Sequence, residues 1–251
     1  YFRYLFEMIA PEIQQYFIER STDGKPFSRN ERSLIYQRAK NVDATSPFGT
    51  HMHLNESNYE GIKHSIFPKK VNEELPRVLV GGPDCKQPYS ASLLNISAMS
   101  FGSLSENAIR ALNLGAEKGN FYHNTGEGGL TEFHLQGGDV TWQIGTGYFG
   151  CRNKDGQFDA ANFSEKANLP AVKMIEIKLS QGAKPGHGGV LPAKKNTLQI
   201  AKIRGVEPFT TILSPPSHSA FKNYKELVEF IAQLRHLSNG KPIGFNFCCV
   251  S

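Results

Sequence analysis

The chemistry-bearing residues of this 251-residue chain gather at glycine-rich points of punctuation. Three such points follow one another: Met99-Ser100-Phe101-Gly102-Ser103, Asn124-Thr125-Gly126-Glu127-Gly128-Gly129 and Gln143-Ile144-Gly145-Thr146-Gly147. Glycine there lets backbone N–H groups approach a flat or anionic ligand, and three such loops in register point to a shared site more strongly than any single tight turn. Lys178 lies within MIEIKLSQ, where period-two alternation puts Glu176 and Lys178 on one face and Ile177 and Leu179 on the other. An inward lysine near a strand end is costly to bury unless it meets an anion or an electron-rich ring, which makes Lys178 a site candidate; the plainer reading is a Glu–Lys pair in a polar layer. QGAKPGHGGVLP, residues 181–192, is too rich in glycine and proline for a helix or strand and reads as a shaped loop around Lys184 and His187. Lys184 offers a point charge and Arg204 a planar fork suited to a carboxylate, although taken singly each reads as a surface charge. In ILSPPSHSAF, Pro215 and Pro216 fix the backbone and so hold His218, for a structural role or a ligand contact equally. With no nucleophile elbow, no metal-ligand cluster and no Walker loop, hydrolase and kinase readings lack residues and no metal site is expected.

Those residues need a scaffold to bring them together. Six runs read as strands: 93–99, 120–125, 140–145, 172–179, 209–214 and 242–250. Between them stand helices, one capped by Ser105 and stopped at Gly119, a shorter one over 194–204, and one with Asn223 as cap and Gly240 as stop. Strands alternating with helices imply a parallel sheet. Six units over about 158 residues, against about 250 for eight, predict an α/β chain forming an incomplete (β/α)8 TIM-type barrel with its site at the carboxyl ends of the strands. The barrel occupies 93–251, and residues 1–92 read as an N-terminal helical arm and connector containing the helix-like ERSLIYQRAKN. A doubly wound sheet is disfavoured because no G-x-G-x-x-G follows the first strand.

Bulk properties narrow the function classes further. Lys and Arg total 28 against 23 Asp and Glu, and the net charge of +5 is spread rather than striped, so nucleic-acid binding is not favoured. The apolar 39% rises to about 49% when the 24 glycines are counted, a globular composition. The opening YFRYLFEMIAPEIQQYF carries Arg3, Glu7 and Glu12 and reads neither as a membrane span nor as a secretory signal; membrane association would need an anchor upstream of Tyr1. The four cysteines show no C-x-x-C and read as structural thiols in a reducing, cytoplasmic setting.

SAMSFGSLSENAIRALN, HNTGEGG, WQIGTGYFGC, EIKLSQGAKPGHGGVLP and ILSPPSHSAF, in that order, resemble the FMN-binding synthase domain of glutamate synthase. The likeness is strongest to the stand-alone FMN-binding glutamate synthase-like group and extends through PFSRNERSLIYQRAK and PFGT in the arm. It implies an incomplete barrel holding FMN over its strand ends, reduced flavin passing hydride from N5 to C2 of 2-iminoglutarate formed from 2-oxoglutarate and ammonia, with an electron donor the sequence does not name. By position, Met99 and Ser100 resemble residues against the flavin, Gln143 and Lys178 those at its polar edge, and Glu127, Lys184 and Arg204 those on the keto acid; Lys178 and Lys184 are the implied catalytic pair. Leu130, His187 and Val190 stand where large glutamate synthases carry Glu, Glu and Gln, which makes another keto or hydroxy acid the alternative substrate. Asn246 stands where both groups carry Lys on the sixth strand, a loss expected to weaken flavin reduction. The resemblance allows an iron–sulfur cluster in a full-length protein, but its ligands and the flavin phosphate loops lie outside this chain. These residues alone are therefore expected to bind FMN poorly, and a non-catalytic truncated fragment is the remaining reading.

Overall fold

The computed structural model describes residues 2–20, 27–28, 31–32, 35, 39, 65–70, 75–181 and 187–247. The chain divides into two compact units, 1–70 and 71–251. In the first, α1 (Phe2–Ile13) runs into a π-helical turn, Gln14–Ile18. Arg32 pairs through both terminal nitrogens with the Glu19 carboxylate. Of the helix predicted over ERSLIYQRAKN, residues 31, 32, 35 and 39 are helical and the others lie outside the described residues.

The second unit opens with an antiparallel hairpin, β1 (Arg77–Val80) and β2 (Tyr89–Ser92), in a stretch that the sequence reading gave to the connector. Next comes α2 (Glu106–Gly119), started by Ser105, whose side chain accepts from the Ala108 N–H. The helix closes on Asn120 at φ +52° rather than on glycine, while Gly119 is small because a Cβ there would lie 1.9 Å from the Phe121 ring. The chain continues through β3 (Tyr122–Asn124), β4 (Asp139–Ile144), α3 (Ala160–Ala167), β5 (Val172–Lys178), β6 (Val190–Leu191), α4 (Leu198–Arg204), β7 (Ile212–Leu213), α5 (Tyr224–Leu237) and β8 (Ile243–Asn246). Helix α3 was missed by the sequence reading, although Asp159, which accepts from the Asn162 N–H, is the expected cap signal.

Four strands form one parallel sheet in the order β3-β4-β5-β8. The predicted first strand, 93–99, contributes a bridge between Ile96 and His123, and Ile96 and Met99 donate to Tyr122 and Asn124 in the manner of a fifth parallel stave. The barrel is not closed. The predicted strand 209–214 is not part of this sheet: only Ile212 and Leu213 are extended, and they pair antiparallel with β6. Ser214 still donates to the Gly189 carbonyl, but Pro215 and Pro216 after it cannot donate ladder bonds, so the run stays short; the strand beside β5 is β8, Ile175 opposite Ile243.

Period-two alternation, interrupted once on β5 by an irregularity at Lys173 where the pairing steps from Val172 to Met174, decides what each face does. Val140, Trp142 and Ile144 of β4 and Val172, Ile175 and Ile177 of β5 pack outward against Phe163 and Ala167 of α3 and Phe230 and Leu234 of α5. Trp142 stacks on Phe163 with ring centres 5.4 Å apart. The opposite face is polar: Asn124 and Gln143 both donate to the carboxylate of Glu176. At the amino-terminal end of that inner face the hairpin covers the sheet through Tyr89, Ala91 and Met174.

Candidate functional site

The inner faces of β3, β4 and β5 end in loops that pack on one another, and the glycines there serve that packing. A Cβ on Gly126 would lie 2.9 Å from the Ser100 nitrogen, one on Gly128 would lie 3.1 Å from the Arg204 guanidinium, and one on Gly145 would lie 2.8 Å from the Glu127 side chain. Their smallness is thus taken up by neighbouring protein atoms, a more local use than the ligand approach anticipated from sequence.

At the carboxyl end of β5, Lys178 turns to the inner face as the alternation requires. Its Nζ donates to Gln181 Oε1 at 3.0 Å and lies 3.4 Å from Glu127 Oε2. Gln181 Nε2 in turn donates to both Glu127 oxygens at 2.8 Å. The three side chains form a closed ring of complementary charge, about four-fifths buried at Lys178 and Glu127. An ammonium has three donors and these contacts engage at most two, so the ring can still address an incoming anion. Around it lie Thr146, His187, Gly188, Pro215 and Pro216, enclosing a recess of only about 10 Å³. A larger cavity of about 430 Å³ sits at the amino-terminal end, lined by Val80, Ala91, Tyr122, Thr141, Met174 and Glu176 among others. Volume therefore does not mark the site; in parallel α/β architecture that lower end serves stability and the carboxyl end serves chemistry.

Arg204, which taken alone reads as a surface charge, is 7% exposed. It ends α4, lies with its guanidinium 4.9 Å from the centre of the Phe149 ring, and donates to the Phe101 carbonyl at 3.3 Å. Burial pulls its pKa down while the Glu127 carboxylate pulls it back up, which couples Arg204 electrostatically to the Lys178 ring. Met99 and Ser100 sit at the end of the 93–99 stave: the Met99 carbonyl meets His134 Nε2 at 3.1 Å, and Ser100 Oγ donates to Ser103 at 2.8 Å. Gln143 is 1% exposed, and its Oε1 has no partner among the described residues. Lys184 lies outside the described residues.

The structure thus groups Glu127, Lys178 and Arg204 at one end of the sheet, with Gln143 on β4 and with Met99 and Ser100 on the segment that follows the Ile96 bridge. Gln181 is the member that residue reasoning missed, and its signal was its place three residues after Lys178. Leu130 packs in the outer core and Val190 is exposed on β6, and neither lines the recess at Lys178. Asn246 pairs in register with Lys178, and its carbonyl accepts from the Leu179 N–H. No described group of three His, Cys, Asp or Glu could hold a metal, and no described helix is long and apolar enough to cross a membrane.

Residues 37–251 match the family described as the conserved region in glutamate synthase. The glutamate synthase large subunit-like protein YerD of Bacillus subtilis is 34% identical over 285 aligned positions that cover 97% of this chain and 54% of that protein. An archaeal-type glutamate synthase [NADPH] of Thermotoga is 35% identical over 61% of the chain and 28% of its own length. A ferredoxin-dependent glutamate synthase of Cyanidium caldarium is 32% identical over 56% of the chain and 10% of its own length. The chain spans about half the length of YerD and less of the others. With the matched region taking in both the sheet and the Lys178 ring, the chain belongs to the glutamate synthase family.

Proposed function

We propose that the protein containing this chain is an FMN-dependent oxidoreductase of glutamate synthase type, acting on 2-oxoglutarate and ammonia, and that Lys178, Glu127 and Arg204 form its keto-acid site. The observation that carries this reading is the Lys178 ammonium 3.4 Å from the Glu127 carboxylate at the carboxyl ends of β5 and β3 of one parallel sheet, with the buried Arg204 guanidinium packed against Gly128 beside it. A dicarboxylate entering there would meet Lys178 as a point charge and Arg204 as a fork, and would take over charge interactions now made with Glu127. Lys184, which lies outside the described residues, is proposed as a further cation of the set on the sequence resemblance alone.

The described residues fit FMN on one observation: the Oε1 of Gln143, buried and without a partner among the described residues, is an acceptor that an N–H of the isoalloxazine would satisfy. Met99, Ser100, Gln143 and Lys178 are the proposed flavin contacts. FMN, when bound, supplies the hydride chemistry that no side chain here can supply. The positive charge held at Lys178 Nζ favours negative charge on the group facing it, and the Gln181–Glu127 bonds keep that ammonium aimed.

The test is to purify the full-length protein and record its absorbance. A flavin spectrum, followed by reoxidation of the reduced flavin on adding 2-oxoglutarate and ammonia with glutamate as product, is the expected result. Reoxidation by a different keto acid alone would replace the substrate, and absence of bound flavin would overturn the reading.

A further inference from the structure

His218 lies outside the flavin and keto-acid sets proposed above, yet it is 4% exposed and bonded at both ring nitrogens. Nε2 is 2.9 Å from the Lys178 carbonyl, and Nδ1 is 3.1 Å from the Tyr148 hydroxyl. A carbonyl only accepts, so Nε2 carries the proton. Burial lowers the imidazole pKa and keeps the ring neutral, which leaves Nδ1 as an acceptor and makes the Tyr148 O–H its donor. The Tyr148 oxygen in turn accepts from the Ala220 N–H at 3.1 Å. The chain of donors then has one direction: Ala220 N–H to Tyr148 O–H to His218, and His218 Nε2–H to the backbone of Lys178.

Two further features show that this arrangement is held firmly. Tyr148 is fully buried with φ at +48°, a left-handed conformation that a bulky residue adopts only where its surroundings hold it there. His218 is stacked on Phe221, ring centres 4.8 Å apart, and meets Tyr148 edge to face at 5.3 Å. Lys178 is the last residue of β5; the Leu179 N–H of the Lys178–Leu179 peptide is held by the Asn246 carbonyl of β8, and the imidazole holds the carbonyl on the other side of that same peptide.

We propose that His218, through Tyr148, is a positioning residue that locks the backbone of Lys178 and so aims its ammonium at Glu127 and the incoming anion. The inference rests on the keto-acid reading for its functional consequence but not for its geometry. Lost aim should appear in the keto-acid KM and in the intrinsic accessibility of the amine.

The experiment compares His218→Phe, which fills the volume without a donor, with His218→Gln, which keeps an N–H for the carbonyl, and with Tyr148→Phe, in the full-length protein. His218→Phe should raise the KM for 2-oxoglutarate about tenfold with a smaller change in kcat, and His218→Gln should recover most of that loss. Acetylation of Lys178, followed by mass spectrometry without flavin or substrate, should quicken in His218→Phe and return towards the wild-type rate in His218→Gln. Nitrogen NMR of the unmodified protein should show Nδ1 unprotonated and Nε2 protonated. Equal acetylation rates in all variants, or the opposite tautomer, would overturn the positioning role even if the protein makes glutamate. Absence of flavin from the unmodified protein would instead overturn the proposed function, and acetylation and NMR would still decide the role of His218. Should His218→Phe fail to fold, Tyr148→Phe and the tautomer carry the test.

Discussion

Lys178 owes its usefulness to being held between burial and solvent, with a carboxylate and an amide to fix where its ammonium points. Replacing it by Met should lower kcat/KM in the full-length protein by about 100-fold. Thermal stability should change by less than about 1 kcal/mol, because the lost ion pair is partly screened. Steady-state kinetics beside a melting curve separate the two effects. His123 behaves differently, being buried with neither ring nitrogen hydrogen-bonded among the described residues and its ring centre 5.2 Å from that of His134. Burial, helped by His134, pushes its pKa from 6.5 down to about 4. The unfolded chain takes up the proton first as pH falls, so its stabilising contribution is full above pH 6.5 and is lost towards pH 4, up to roughly 3 kcal/mol. Urea unfolding should show that loss, and His123→Phe should flatten it. Alternation alone made the inward aim of Lys178 legible in the sequence. The burial of Arg204 was not legible, because its cover comes from Phe101, Gly128 and Phe149, which are distant along the chain.

Among the elements, those fixed by local chemistry were readable. Ser105 and Asn223 cap their helices as their types suggest, Asn223 accepting from the N–H groups of Lys225 and Glu226. The core of β5 followed from its β-branched run. What could not be read was partnership: nothing in ILSPP says that Ile212 and Leu213 pair with Val190 and Leu191 rather than with β5. That small antiparallel pair depends on Gly188, where an added Cβ would lie 1.7 Å from the Ser214 carbonyl oxygen. Gly188→Ala should therefore force the two segments apart and weaken keto-acid binding through His187 and Pro215. Isothermal titration with 2-oxoglutarate should report weaker binding while far-ultraviolet circular dichroism stays unchanged.

Taken whole, the chain carries its main core inside 71–251, where both faces of the parallel sheet are occupied by residues of that same unit. A fragment of 71–251 is expected to unfold cooperatively in thermal scans without the first seventy residues. Phe245 and Phe247 are half exposed beside the outer edge of β8, so that fragment should associate at high concentration. Replacing both phenylalanines by Lys should reduce this association, measurable by light scattering. The family was readable from five ordered motifs, and its architecture from strand–helix alternation, because both depend on short-range sequence.

The pairing of β5 with β8 spans an excursion from residue 179 to residue 242 that leaves the sheet and returns to the same place. Closing so long a loop is slow compared with assembling β3, β4 and β5, whose contacts lie closer along the chain. The last strand should accordingly dock after the folding barrier has been crossed. Destabilising replacements in Ile243–Asn246 would then quicken denaturation while leaving the refolding rate nearly untouched, a signature that stopped-flow chevrons would display.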